Sequence, residues 1–410
     1  SAIDAAKSVN YRDAGTVEFL LDESGSFYFL EMNTRLQVEH PVTELITGLD
    51  LVALQISVAQ GEPLGLSQED VSLSGHAIEV RLYTEDPGND FLPSSGPVDL
   101  WSPALGDGVR IDDGICTGQQ ISPFYDPMVA KIIGFGESRE VARLRLIKAL
   151  QDTVLFGTPN NKEFLIRCLK KQQFIDGEAT TAFIQEVFSE EEMAVTVPSF
   201  SDSAVAACID LTLDYQRAKE SSLLVSDRLR NWSSASAMVS RKHYEFGDQS
   251  YDLAISPVNN SENTFAVIDI ATQEATEVQI IHMQQDSVSV KVNGDQLVAR
   301  FMSLAPGQLH CSVEGCSAMF KDRIILDGAV EETAAGGRVV APMHGLLLEV
   351  GVNQGDTVVK GQTLAVLEAM KMHYEIHAPI DGLVDTVIAS AGQQVAADDL
   401  LIDINQPEDA

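Results

Sequence analysis

The sequence predicts a multidomain α+β chain that ends in a small all-β domain built from two copies of one unit. Three observations predict it. The chain has 410 residues, 45% hydrophobic and 21% charged, which suits roughly two to four globular domains and is too apolar for wholesale disorder. Composition divides it into residues 1–193, 194–333 and 334–410, the last preceded by the small-residue linker Thr333-Ala-Ala-Gly-Gly337. The last part repeats itself: Ala341-Pro-Met-His-Gly-Leu346 recurs 37 residues later as Ala378-Pro-Ile-Asp-Gly-Leu383.

In the first part, Thr16–Asp22 and Ser26–Asn33 read as strands joined by a two-residue Ser24-Gly25 turn. With Glu23 facing Ser26, that register places Glu18 opposite Glu31, and Asn33 shares the face of Glu31 because side chains alternate. Beyond Pro41 the pattern becomes helical. Asp50 caps a helix over Leu51–Gln60 that stops at Gly61, and a second runs from Ser138 to Val154 on Val141, Leu144, Ile147 and Leu150.

The middle part opens with a Ser/Pro/Thr-rich joint, Thr196 to Ser203. It continues as a helix over Ala204–Lys219 and becomes strand-rich from Lys242 to Phe320. Val288–Val292, Asn293-Gly294 and Gln296–Phe301 form a hairpin with an Asn-Gly turn. Several hairpins in succession suggest a small barrel or sandwich. In the last part neither copy of the repeat can bury its own apolar face, so the two close on each other with pseudo-twofold symmetry. The segment joining them, Glu368-Ala-Met-Lys-Met372, becomes a hairpin tip.

Composition excludes several function classes. With 27 Lys+Arg against 61 Asp+Glu, the formal net charge is −34. Phosphates would be repelled, which argues against a broad nucleic-acid interface. No membrane span is expected, because no apolar run reaches about 18 residues. Five scattered cysteines fit a reducing compartment better than a disulfide scaffold, and Cys311 and Cys316 lack partners at zinc spacing. The opening Ser-Ala-Ile-Asp, with no Met, reads as a piece of a longer protein.

Two clusters could carry chemistry. Lys371 at a tight tip, between Met370 and Met372, is an amine available to a modifying enzyme, or else an ordinary solvated lysine. Glu18 facing Glu31 is a pair of solvated acids, or a pair whose repulsion a divalent cation relieves; hard oxygen donors suit Mg²⁺ or Mn²⁺ holding phosphates. The run from Glu31 to Glu44 carries Glu31, Asn33, Arg35, Gln37, Glu39 and His40 together, more than a purely structural element needs.

The symmetric repeat around Ala369-Met-Lys-Met372 resembles the biotinyl domain of biotin-dependent carboxylases, which implies biotin attached covalently to Lys371. The related lipoyl carriers usually present Asp-Lys-Ala at the tip, which this chain lacks. The Glu31–Glu44 run resembles the end of the ATP-grasp core of biotin carboxylases. That resemblance implies Glu18, Glu31 and Asn33 as ligands of the metal ions bridging ATP phosphates. It implies Arg35, Gln37 and Val38 as the bicarbonate site and Glu39 as the general base. Arg110, in Gly108-Val-Arg-Ile111, matches the arginine that stabilises the biotin enolate, and Phe124-Tyr-Asp-Pro-Met128 also fits the family.

The middle part resembles the interaction domain of acyl-CoA carboxylase α subunits, with a passive spacer as its alternative; Trp232 and the strands from Tyr244 to Ala254 suit core or interface equally. The whole is therefore similar to the C-terminal portion of the biotin-containing α subunit of the 3-methylcrotonyl-, geranyl- or propionyl-CoA carboxylase type, and residues 90–190 favour the first two. Its architecture would be the end of an ATP-grasp/biotin carboxylase domain, a helix plus small β-barrel, and a flattened β-barrel biotin/lipoyl-type domain. The implied partners are a carboxyltransferase β subunit, biotin protein ligase and, through the β subunit, an acyl-CoA. The implied location is a bacterial cytoplasm, or the mitochondrial matrix in a eukaryote. No Walker-type glycine loop is present, and the glycine-rich lid of the family is expected upstream, so this chain alone should fail in the ATP step. A carrier and docking module without catalysis is the alternative.

Overall fold

The computed structural model describes residues 1–222, 238–327, 337–342, 344–369, 372–396 and 399–405. Trp232, Met370, Lys371 and linker residues 333–336 lie outside the described residues. The chain forms two compact units. The first comprises Ser1–Arg81, Ala104–Asp113 and Ala130–Leu150, and the second comprises Leu82–Pro103, Gly114–Val129 and Gln151–Ala410.

In the first unit, helix α1 (Ala2–Ser8) precedes an antiparallel hairpin of β1 (Thr16–Leu21) and β2 (Phe27–Asn33). The expected pairing of Glu18 with Glu31 is present, but by a different route. The turn has three residues: Leu21 pairs with Phe27, Asp22 N–H donates to the Ser26 carbonyl, and Gly25 takes φ 82°. That shifts the register by one. A bulge where Glu18 meets Glu31 and Phe19 meets Phe29 leaves Leu30 unpaired and shifts it back. The Asp22 carboxylate favours the longer loop by accepting from Ser24 Oγ and Ser26 N–H. Phe27, Tyr28, Phe29 and Leu30 each stand 52–60% exposed.

Helices α2 (His40–Thr47) and α3 (Leu51–Ala59) follow. Pro41 starts α2 and Gly48, at φ 73°, stops it. Asp50 accepts from Ala53 N–H at 2.8 Å, as a cap worth about 1 kcal/mol should. A three-stranded sheet places β3 (His76–Tyr83) beside Met128–Gly136, which pairs with Val109–Asp113. Helix α4 (Arg139–Asp152) packs on Met128–Gly136, so closely that a Cβ on Gly136 would lie 2.6 Å from Val141 Cγ1. The helix ends two residues short of Val154, because Val154–Phe156 is a strand paired with Leu100–Ser102. Its buried face is Ala142, Leu146, Ile147 and Leu150; Leu144, expected inside, is 52% exposed.

In the second unit the long helix Phe200–Ser221 begins four residues before the expected Ala204, inside the supposed joint. The cause is a capping box: Ser199 Oγ accepts from Asp202 N–H, and the Asp202 carboxylate accepts from Ser199 N–H. Every residue from Ser203 to Thr212 is buried. A helix buried all round needs walls on all sides. Eight antiparallel strands in sequence order, from Ser240–Phe246 to Cys316–Lys321, supply them. Tyr244 and Phe246 of the first strand meet Phe320 of the last at 5.3 and 5.2 Å, ring to ring, so the sheet curls toward closure. The Asn293-Gly294 turn is as expected, with Val292 opposite Asp295 and both turn residues at positive φ. Cys311 is buried and Cys316 largely so, and burial pushes both thiols up, Cys316 to about 12.

The last domain is two four-stranded sheets. One runs Arg338–Val340, Leu400–Asn405, Gly382–Val387, Thr357–Val358; the other runs Met372–His377, Thr363–Ala369, Gly345–Val350, Gln394–Val395. A shift of 37 residues carries one onto the other in the same spatial order. Details follow it. Asn353 N–H donates to Asp356 and Ser390 N–H to Gln393. The bulge between Leu347 and Glu349 recurs between Val384 and Thr386. Gly345 and Gly382 each lie against a backbone carbonyl of the neighbouring strand in their own sheet, that of Glu368 and that of Asn405. Ala369 pairs with Met372 at the junction of the two copies.

Candidate active site

The site residues expected from the sequence lie in the first unit, except Lys371. Strand pairing sets Glu18 directly against Glu31. Asn33 Nδ2 donates to Glu18 Oε1 at 2.8 Å and to Glu31 Oε1 at 3.2 Å, and Gln37 Nε2 reaches Glu18 Oε1 at 3.4 Å. Two carboxylates thus converge on one amide. The donor set fits a hard divalent cation: two anionic oxygens, plus the Asn33 carbonyl oxygen once that amide turns over.

The turn before α2 forms a second cluster. His40 Nδ1 bonds the Gln37 carbonyl at 2.8 Å. Lys131 Nζ donates to the Val38 carbonyl at 3.1 Å, and the half-exposed Glu39 pairs with Arg81 at 3.1 Å. Lys131 also lies 3.4 Å from Asp112, directly opposite it in the sheet. Arg35 stands exposed and donates to its neighbour's carbonyl, that of Leu36. The structure therefore gathers Glu18, Glu31, Asn33 and Gln37, and gathers Val38 with Glu39, but leaves Arg35 outside both groups.

Arg110 is gripped by three hydrogen bonds. Two parallel bonds run to Asp112 at 2.8 and 2.9 Å and one to Glu44 at 2.7 Å. Glu44 is 8% exposed, and its other oxygen caps α3 by accepting from Leu51 N–H. The Asp112 bonds, and then Glu44, push Arg110 further up against the opposing effect of burial. Burial works to raise Asp112, but Arg110 and Lys131 outweigh it and hold the carboxyl below its usual range. The paired planar geometry makes Arg110 a fixed positive charge with a defined direction.

Sequence reasoning missed Glu44, Glu79, Arg81, Asp112 and Lys131. Each had a faint signal. Glu79 and Arg81, and Arg110 and Asp112, stand two apart in strands and so share faces, and Glu44 closes the charge-rich run. In the second unit, Phe124 and Tyr125 of the Phe-Tyr-Asp-Pro-Met segment are 69% and 76% exposed. Among the described residues no group of three or more His, Cys, Asp and Glu could hold a metal. No single described helix is long and apolar enough to cross a membrane.

Three protein families match this chain: "Carbamoyl-phosphate synthase L chain, ATP binding domain" over residues 1–67, "Biotin carboxylase C-terminal domain" over 79–186, and "Biotin-requiring enzyme" over 337–404. The mitochondrial methylcrotonoyl-CoA carboxylase subunit alpha of Arabidopsis thaliana is 33% identical, covering 97% of this chain and 59% of the relative. The mitochondrial propionyl-CoA carboxylase alpha chain of Mus musculus is 34% identical, covering 98% and 56%. A solved biotin carboxylase domain of thermophilic 2-oxoglutarate carboxylase bound to bicarbonate is 43% identical over 45% of this chain and 42% of that one, with a TM-score of 0.44. The chain thus spans under three fifths of the length of these two curated relatives.

Proposed function

The chain belongs to the biotin-dependent carboxylases, alongside the alpha subunits of acyl-CoA carboxylases, and on that premise we propose that it carries biotin on Lys371 and supplies the bicarbonate and biotin half of a biotin carboxylase site. One observation carries the reading. The two copies related by a 37-residue shift join where Ala369 pairs with Met372, and the sequence between that pair is Met370-Lys371.

In this reading Glu18, Glu31 and Asn33 hold one or more Mg²⁺ or Mn²⁺ ions, which would neutralise charge on ATP phosphates. Arg35, once it swings from the Leu36 carbonyl, would hold bicarbonate with Gln37 and Val38, and Glu39 would take its proton as the bicarbonate oxygen attacks the terminal phosphorus of ATP and ADP leaves. Arg81, paired with Glu39 at 3.1 Å, holds that carboxylate in place before the transfer. Lys131 fixes the Val38 carbonyl, so the turn cannot swing away. Arg110 points a permanent positive charge where the ureido oxygen of biotin would bind, and Asp112 and Glu44 prevent it from reorienting. Biotin supplies the nitrogen that accepts the carboxyl group.

The exposed row Phe27–Leu30 supports a division of labour. Burying such side chains is worth about 1.5–3 kcal/mol each. We assign that surface to contact with the nucleotide-binding remainder of a full-length alpha subunit, so the 410 residues alone should not make carboxyphosphate. Residues 194–333 are assigned to docking on a carboxyltransferase β subunit, which passes the carboxyl group to an acyl-CoA. The methylcrotonoyl and propionyl relatives match equally well, so the acyl group is read in that partner.

The test is incubation of the chain with biotin, ATP and biotin protein ligase, read by intact mass. One biotin should attach to the wild type and none to Lys371→Ala. An unmodified wild type, or a label surviving in Lys371→Ala, would refute the assignment.

A further inference from the structure

Glu79 is the charged group that the proposed chemistry leaves idle. It lies on β3, two residues before Arg81 and on the same face. The neighbouring strand contributes Lys131, the next strand Asp112, and the turn before α2 brings Glu39; these four are the charges that act on it. Its Oε2 is buried and has no hydrogen-bond partner among the described residues. The other members of the cluster are engaged. Arg81 holds Glu39, Lys131 holds the Val38 carbonyl and approaches Asp112, and Asp112 grips Arg110. With Arg110 and its second partner Glu44 included, the cluster has three cations, Arg81, Lys131 and Arg110, for four carboxylates, Glu39, Glu44, Asp112 and Glu79, and Glu79 is the carboxylate with no ion pair among the described residues. Burial, only partly offset by Lys131 and Arg81 and reinforced by Glu39 and Asp112, pushes it up to about 7. An ionisable group kept at the cost of burying its charge marks a functional position more often than a structural one.

We propose that Glu79 is a positioning residue that tunes the base: when ionised, it draws on Arg81 and repels Glu39, and so strengthens the hold of Glu39 on the proton it takes from bicarbonate. The coupling is reciprocal, because each carboxylate raises the proton affinity of the other. This inference rests on the reading of Glu39 as the base. Bicarbonate-dependent ATP cleavage then rises with pH through neutrality, as Glu79 ionises.

The test has two arms. In a full-length alpha subunit carrying these residues, Glu79→Gln removes the rise centred near pH 7. The ratio of wild-type to variant rates grows between pH 6 and pH 8, and Glu79→Asp restores part of that growth. A role in folding alone would lower the rate by one factor at every pH, and that result overturns the proposal. In the 410-residue chain, glutamate carboxyl carbons are followed by ¹³C NMR. One signal should titrate near pH 7, vanish in Glu79→Gln, and move upward in Lys131→Met. Absence of that titration overturns the proposal even where carboxylation proceeds. If the titration is present but no bicarbonate-dependent cleavage occurs at any pH, the role of Glu39 falls, and the tuning of it with it.

Discussion

Replacing Lys242 with Met should loosen the middle domain more than any surface change. Lys242 Nζ lies 2.6 Å from Asp210, 2.9 Å from Asp214 and 3.2 Å from Asp322, and Lys242, Asp210 and Asp322 have side chains 4% exposed or less. The lysine ties the inner helix to the first strand and to the chain just after the last. Burial works to lower its proton affinity, but Asp210 and then Asp214 raise it instead. Its stabilisation is therefore complete below the ordinary lysine range and is lost only as pH climbs through its raised folded value.

Removing the amine leaves the buried Asp322 without its ion pair and Asp210 with only Arg217, at 3.9 Å, a loss of about 3–5 kcal/mol. Burial already raises Asp210, so in Lys242→Met that carboxyl takes a proton more readily, and the deficit shrinks as pH falls. The assay is hydrogen exchange of the Ala204–Leu211 amides, whose protection reports opening of the barrel. Protection should fall by about two to four powers of ten at pH 8, by the same energy at 1.4 kcal/mol per tenfold, and by distinctly less at pH 5. A loss below tenfold at pH 8, or equal losses at both pH values, would refute the reasoning.

Other perturbations test other parts. Gly345→Val sets a Cβ 2.6 Å from the Glu368 carbonyl and 2.9 Å from Leu367 Cγ; the carrier should unfold, and biotin incorporation should fail with Lys371 still present, as read by intact mass. Gly382→Val, its repeat counterpart, should do the same. His310 stacks on Phe156 at 4.1 Å, and burial pushes it down to about 4. Its contribution is full above the ordinary histidine range and is lost as pH falls through its folded value, in total up to about 3 kcal/mol. Urea unfolding should show that acid-side slope diminished in His310→Phe. Glu44→Gln removes an anion from Arg110 while sparing the α3 cap; the helix content should hold, and biotin carboxylation in a full-length alpha subunit should drop severalfold, measured with free biotin.

The repeat and the run from Glu31 to Glu44 were legible because each is a local signal: an offset, a spacing, a density of polar groups. The Glu18–Glu31 pairing was legible for a less secure reason. The turn was read one residue short and the Leu30 bulge was not foreseen, and the two errors cancelled. Alternation cannot reveal a bulge, because the extra residue shows no break in chemistry. The early start of the inner helix had a readable cause, since Ser199 and Asp202 have capping-box spacing, but Pro198 and the serines around it suggested a joint. What stayed hidden was the ring of charges around Arg110 and Lys131. It is assembled by three strands and a helix separated by dozens of residues, and only their pairing brings Asp112 to Lys131 or Glu44 to Arg110.

The symmetry of the last domain decides where its tether can be. The strand pair in which Arg338 meets Asp403 is the image of the pair in which Glu375 meets Val366. The first pair holds both ends of the domain, and the second runs to the Ala369–Met372 pair. A twofold relation sends these to opposite poles. A group carried between Ala369 and Met372, as proposed above, would stand the full height of the domain from the anchor, roughly 20 Å for strands of six or seven residues. That height would lengthen the arm at no cost in disorder.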